Sequence, residues 1–530
     1  MAYSTLTEFR NTFLRQAEQK IKESDLASAD NTSLITLAAL LKSYDVVNRF
    51  DTIVPDAVAP LELMTGAILD VYLSDISNGQ SFNLVLNSAE AMAAIVRSPS
   101  AMAAIAGSAR AMSAVVGYPV AYNAIVASSV AMSQIAISAT AMTAMAASQA
   151  AMSAMVASQA AAAPVAASQV AISAVLASPL ALTTVVASQV TMTPIAANQA
   201  AITAMLANTP ALTAMVVSTA SMVAIASSPT AITAVLANAA AVAALVASQT
   251  AMTAVAANQA AITSLLANAP AVALLVVNQV GMTSVAASPV AMTALLVNTA
   301  ALAAALASTV AMTALAANQA AMNAFAANQA AMTALLANSA ALAVVIASPV
   351  AMSAVAVSPT AMIAVAANPT ALAAVIASPT ALAAVAPSSV AMAAIAANAI
   401  AITSCAANAA AMTAFNSSDV AMVALYSSPL IKKMGWGSAV IWSAVTNVQT
   451  GPCLFVRLTT TGPNAWGENT SGNEYVVFDG TNVNFAGRAA NPYNHTALAS
   501  PMRVPVRKTL TTLQVRLYAP SEVAYIPLAS

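Results

Sequence analysis

The sequence predicts a mainly α fold: a solenoid of about 34 ten-residue repeats, each one short helix, between an N-terminal helical segment and a small C-terminal β domain. Three observations point there. From about Ala91 to about Leu430 one decapeptide recurs, as in AMTAVAANQA (Ala251 to Ala260), AITAVLANAA (Ala231 to Ala240) and AMIAVAANPT (Ala361 to Thr370). A fixed short period means stacked units, none of which can bury an apolar face alone. The repeat is rich in alanine, a strong helix former and poor strand material. Finally, Pro returns at one fixed position of the block, which punctuates the chain at regular intervals.

With slots counted from the leading Ala, slot 2 is almost always Met, Leu, Ile or Val, slot 5 is nearly always a larger apolar residue, and slot 8 is Ser or Asn in every block except at Tyr118. Pro follows at slot 9 in many copies (Pro99, Pro119, Pro179, Pro229, Pro289, Pro349, Pro359, Pro369, Pro379, Pro429). Ser and Asn accept hydrogen bonds from the free amides that open a helix, and Pro is tolerated at the first helical position. Slot 8 therefore reads as an N-cap, at Ser88, Asn318, Asn328 and Ser348 among others. The same Pro cannot sit inside a continuous helix, so each cap also ends the helix before it.

A helix from slot 9 to slot 6 or 7 is only about 12 Å long, and isolated helices that short do not persist in water. Stacking must hold them. Slots 2, 5 and 6 form one apolar stripe, while Ala at slots 1 and 4 lets backbones approach. The simplest assembly is a zigzag of roughly antiparallel helices with twenty residues per turn. At about 8 to 10 Å per layer, about 17 turns give a rod on the order of 150 Å. Pro164 and Pro194, at slot 4, predict a kink or a shifted helix start. A β-solenoid is the competing fold, but Gly-marked corners are missing from the repeat.

Charged residues make up 6% of the chain, the net charge is -1, and Ala111 to Ser418 contains no Asp, Glu, Lys or Arg. A chain without a basic face is not a nucleic-acid binder. A membrane span needs about 20 continuous apolar residues, whereas polar side chains interrupt every block, so no transmembrane segment is predicted.

Residues 1–88 read as a helical attachment domain. Thr5 and Glu8 fit a capping box, Phe9, Phe13 and Leu14 lie on an amphipathic helix to about Glu23, and further helices are predicted from Ser33 to Phe50 and from Pro60 to about Asp75. The first residues lack the apolar core of a signal peptide. Residues 89–430 are the shaft. Beyond Leu430 the composition changes: all three Trp and eight of the 13 Gly fall there. Cys453 to Leu458, Glu474 to Phe478, Asn482 to Phe485, Leu513 to Tyr518 and Val523 to Leu528 read as strands of a β-rich tip over residues 431–530.

Chemistry is scarce. One His cannot build a multi-histidine metal site, and no phosphate loop, dinucleotide fingerprint, zinc spacing or nucleophile elbow occurs. Glu468, Glu474, Asp479 and Glu522 read as ordinary surface carboxylates, Cys405 as a packing residue in slot 5, and Cys453 as the first residue of a strand. No catalytic residue, cofactor or metal is predicted, and the chain reads as a non-enzyme. The candidates for recognition are the aromatic residues of the tip, with Trp466, Tyr493, His495 and Trp436 as the receptor-binding set, beside Trp442 and Tyr475. Amphipathic rings of this kind suit glycan or protein surfaces.

A charged helical start, a long uncharged AMTAVAANQA-type shaft and a terminal β segment together resemble bacteriophage tail fibres and related virion fibres. The resemblance implies that residues 1–88 attach to other virion proteins, that the shaft is a rigid spacer, and that the tip binds a host-surface glycan or protein. It implies a location in the virion after assembly in the host cytoplasm. Low charge also suits a homo-oligomer or lateral association of shafts. Two other readings are a bacterial surface adhesin or stalk, and an ice-binding repeat, because Ala-rich repeats with regular Thr resemble the helical antifreeze proteins. The slot-3 ladder Thr143, Thr203, Thr213, Thr233, Thr253 and Thr263 is broken by Ser, Ala, Val and Asn.

Overall fold

The structure, a computed structural model, describes residues 58–436, 446–460, 475–478, 481–484, 507–509, 512–516 and 521–528. Its contacts divide the chain into two compact units between Leu274 and Leu275, and one solenoid geometry recurs inside each. The decapeptide is one helix, from slot 9 to slot 6 or 7, as in Gln159–Ala167 and Pro349–Val357. Slot 8 alone leaves the helical region: Ser158 sits at φ -95°, ψ 119° and Asn318 at φ -109°, ψ 114°. Tyr118 keeps that backbone without a side-chain cap.

One extended residue cannot reverse a chain, since antiparallel helix pairs need a loop of about 2 to 5 residues. Successive helices instead bend by 100° between Gln149–Ala157 and Gln159–Ala167 and by 97° between Pro349–Val357 and Pro359–Ala367. The expected antiparallel zigzag with twenty residues per turn is therefore wrong. Three bends nearly close a triangle, so a turn takes thirty residues. In the first unit Gln159–Ala167 stacks on Gln189–Ala197, and that helix on Thr219–Ala226. In the second, Gln319–Ala327 stacks on Pro349–Val357 and Pro359–Ala367 on Ser389–Ala396. Thirty residues per layer also means that a given number of repeats climbs two-thirds as far as expected.

The core follows from the triangle. Ala141, Met142, Met145 and Ala146 are each at most 2% exposed, and slots 1, 2, 5 and 6 are buried in block after block. Positions i, i+1, i+4 and i+5 are two adjacent stripes, because each helix must cover both its stacked neighbours and the interior of the turn. Slot 4, expected at a close backbone contact, is half-buried in most blocks. Pro164 and Pro194 lie inside Gln159–Ala167 and Gln189–Ala197, whose starts are not shifted as expected.

The helix expected from Pro60 to Asp75 is two helices, Val58–Glu62 and Gly66–Tyr72, followed by Ile76–Leu86. Thr65 breaks the run by capping the second, its Oγ1 accepting from the Ile68 amide at 3.3 Å. Gly66–Tyr72 packs on Pro99–Gly107, so the turn below the first repeats begins before residue 88. The contact needs glycine: a Cβ on Gly66 would lie 2.3 Å from the Gly107 carbonyl carbon. The helices expected before Phe50 lie outside the described residues.

The C-terminal strands are β1 (Lys432–Trp436), β2 (Thr446–Thr450), β3 (Cys453–Thr460), β4 (Tyr475–Phe478), β5 (Thr481–Asn484), β6 (Arg507–Thr509), β7 (Thr512–Arg516) and β8 (Ser521–Pro527). They form two antiparallel four-stranded sheets, ordered β1-β8-β3-β6 and β2-β7-β4-β5. Gly451, at φ 101°, turns the chain between β2 and β3. Cys453, Leu454 and Phe455 are consecutive and buried, as are Val523 to Ile526, so β3 and β8 are covered on both faces there. The last repeat helix, Asp419–Tyr426, packs on β3, and the second sheet meets it through β3 with β7 and β4 with β6.

Candidate functional site

The slot-8 side chains are the most regular polar feature. All but Tyr118 and Ser428 accept from the slot-1 amide of their own helix: Ser88 from Ala91 at 3.2 Å, Asn318 from Ala321 at 2.9 Å, Asn328 from Ala331 at 3.0 Å and Ser348 from Ala351 at 3.2 Å. Many also donate to the slot-6 carbonyl of the helix one turn earlier. Ser128 donates to Val96 at 2.9 Å, Ser348 to Ala316 at 2.7 Å, Asn338 Nδ2 to Leu306 at 3.0 Å, and Ser168 to Ala136. Aspartate is a good cap, but an ionised carboxylate has no proton for that second bond. Asp in slot 8 would therefore cap its helix but leave unmade the second bond that Ser348 and Asn338 donate.

At the start of the stack the acceptor changes. Ser98 Oγ donates to Glu62 Oε1 at 2.6 Å and Ser108 Oγ to Asp70 Oδ1 at 2.9 Å. The Arg110 amide donates to the same Asp70 oxygen at 2.8 Å, and its guanidinium Nε lies 3.8 Å from Oδ2. The Arg110 amide and then the Ser108 hydroxyl hold the Asp70 carboxyl below its ordinary range, against the smaller opposing effect of burial. Reading the sequence for repeats overlooked these acids, although they stand 36 and 38 residues before the serines they meet.

Thirty residues per turn also sort the exposed slot-3 residues. In the first unit Ser113, Thr143, Ser173, Thr203, Thr233 and Thr263 belong to stacked helices and are all exposed, with small residues at slot 7 (Gly117, Ala147, Ala177, Ala207, Ala237, Ala267). Thr213 and Thr253 fall on the two other faces. The ladder that looks broken along the sequence is continuous on one face. On another face, open shallow grooves of about 770 and 370 Å³ share Thr183 and Ala187. Their hydroxyls are engaged: Thr183 and Thr213 bond carbonyls in their own helices, and Ser218 bonds the Val186 carbonyl.

Of the predicted tip residues, Trp436 and Tyr475 are among the described residues and lie in different sheets. Trp436 closes β1 opposite Ser521, Tyr475 in β4 lies opposite Asn484 and Arg516, and Trp442, Trp466, Tyr493 and His495 lie outside the described residues. So do Glu468, Glu474 and Asp479, whereas Glu522 lies in β8 opposite Gly435. Where the shaft meets the first sheet, Lys433 Nζ stands 4.4 Å from the centre of the Tyr426 ring and donates to its hydroxyl at 3.2 Å. Cys405 and Cys453 are buried and not joined in a disulfide, and burial pushes the Cys405 thiol up to about 12. Burial, and secondarily Cys453, raises the Tyr525 phenol.

Among the described residues no group of three His, Cys, Asp or Glu could hold a metal ion, and no single helix is long and apolar enough to cross a membrane. Neither a protein-family model nor a curated protein matches the sequence.

Proposed function

We propose that the chain is a non-catalytic structural fibre protein of a virus particle, with residues 1–88 attaching it to other virion proteins, the repeats acting as a spacer, and the C-terminal domain meeting a host-surface glycan or protein. The observation that carries the spacer role is the ladder of slot-8 donors to slot-6 carbonyls, which inside each unit ties many helices to the helix one turn earlier. Linkers of a single residue leave little room for bending between helices. The viral setting rests on the resemblance in organisation. Gold-tagged antibodies against the repeats should label appendages of virus particles that carry the chain, with antibodies against residues 1–57 closer to the particle. Label on cell envelopes and none on particles would overturn the viral reading and favour a surface stalk.

Ice binding is a second reading, supported by the continuous hydroxyl row from Ser113 to Thr263. Thermal hysteresis of the full-length protein tests it: activity abolished by Thr203→Lys and Thr233→Lys together would support it, and no activity would end it.

A further inference from the structure

We propose that the joint between the Gly66–Tyr72 helix and the first repeats is an acid-opened latch, released while the repeat solenoid stays folded. Within the repeats, the turn-to-turn acceptors are backbone carbonyls, which do not titrate, and residues 111–418 contain no ionisable carboxyl or base. At the first turn the acceptor is instead a carboxylate. Asp70 takes the Ser108 hydroxyl and the Arg110 amide on one oxygen and faces the Arg110 guanidinium with the other. Every one of these partners is a donor or a cation, so each prefers the ionised carboxylate.

Among the described residues, other charges near the joint are few. Pro99–Gly107, packed on the same helix, carries none; Ala109–Val115 carries Arg110; Val58–Glu62 carries Glu62, which accepts from Ser98. Asp75 follows the helix, Glu90 lies in Ala89–Ile95 and Arg97 follows that helix. The close Gly66–Gly107 contact adds shape but no titratable group. The direction follows from linkage. A carboxyl whose folded value is depressed contributes its full stabilisation above the ordinary aspartate value of about 3.9, and loses it as pH falls through the lower folded value.

Hydrogen exchange of the full-length protein, corrected for the intrinsic pH dependence of exchange, tests the latch. Protection of residues 66–72 should fall by up to about tenfold per pH unit between the ordinary and the depressed aspartate values, while residues 199–207 keep theirs. Asp70→Asn, which retains the shape and loses the titration, should show reduced protection of 66–72 at about pH 6 with no further fall in acid. The proposal is overturned if wild-type protection of 66–72 stays flat to about pH 2, if Asp70→Asn keeps the wild-type pH dependence, or if residues 199–207 lose protection in step.

Discussion

The repeat helices and the C-terminal sheets meet the same requirement, a partner for every buried backbone group, over very different reaches of chain. A repeat helix satisfies its amides and carbonyls internally, caps itself from the preceding slot 8, and reaches 32 residues back for one further bond, as from Ser348 to Ala316. The first sheet joins Lys432 to Tyr525 and Cys453 to Pro527, pairings that exist only when the whole domain is assembled. The solenoid is thus quasi-one-dimensional, so that damage should stay near its origin. The sheets should be lost or kept together, at a higher cost in loop closure.

The most severe test places a charge in the stack. Leu335 is 0% exposed, and Leu335→Asp should cost about 5 kcal/mol by burying an unpaired carboxylate. Hydrogen exchange should show the loss in Gln329–Leu336 and in the helices stacked on it, Thr299–Ala307 and Pro359–Ala367, with Asp419–Tyr426 still protected. Phe455 is equally buried, and Phe455→Ala should cost about 4 kcal/mol. Here Trp fluorescence, which reports only on residues beyond 430, should change as a whole while the helical circular dichroism stays. A local effect in the sheets, or a global one in the repeats, would reverse the contrast.

Smaller changes separate the two bonds of slot 8. Ser348→Ala removes both the cap and the bond to the Ala316 carbonyl and should cost about 2 kcal/mol, against about 1 kcal/mol for Asn318→Ala, whose described bond is the cap alone. Urea titrations would resolve the difference, and equal costs would mean that the inter-turn bond contributes nothing. The smallest effect concerns Cys405. Its thiol, raised from 9.0 to about 12, stays protonated in the fold at pH values where the unfolded chain ionises. Native labelling by thiol reagents should be slow at neutral pH, and the stability held by the neutral thiol should be lost as pH rises above about 9.

Much of the helical architecture was legible in the residues. Ser or Asn followed by Pro specifies a cap and a helix start by a local rule, so Gln159–Ala167 and its counterparts were readable from one block. The number of helices per turn was not, because all blocks look alike and the bend is fixed by one extended residue whose angle no side chain announces. A signal was present in the slots themselves: four apolar positions in two adjacent stripes need more neighbours than a zigzag supplies. The strands β3, β4, β5, β7 and β8 stood out by composition, whereas β1 (KKMGW), β2 (TNVQT) and β6 (RKT) are short and polar. Their partners are distant, and no local pattern marks them. The carboxylates at the first turn were equally hidden, since Glu62 and Asp70 act across a fold that had to be known first.

Thirty residues per turn is the claim on which the faces, the ladder and the first-turn latch all depend. Spin labels at Thr203 and Thr233, compared with labels at Thr213 and Thr233, test it directly in the full-length protein. The three-helix turn predicts strong dipolar broadening for the first pair, which sits on stacked helices about 8 to 10 Å apart, and weak broadening for the second, which sits on different faces. Stronger broadening between Thr213 and Thr233 would restore the twenty-residue turn and contradict the fold described for the repeats.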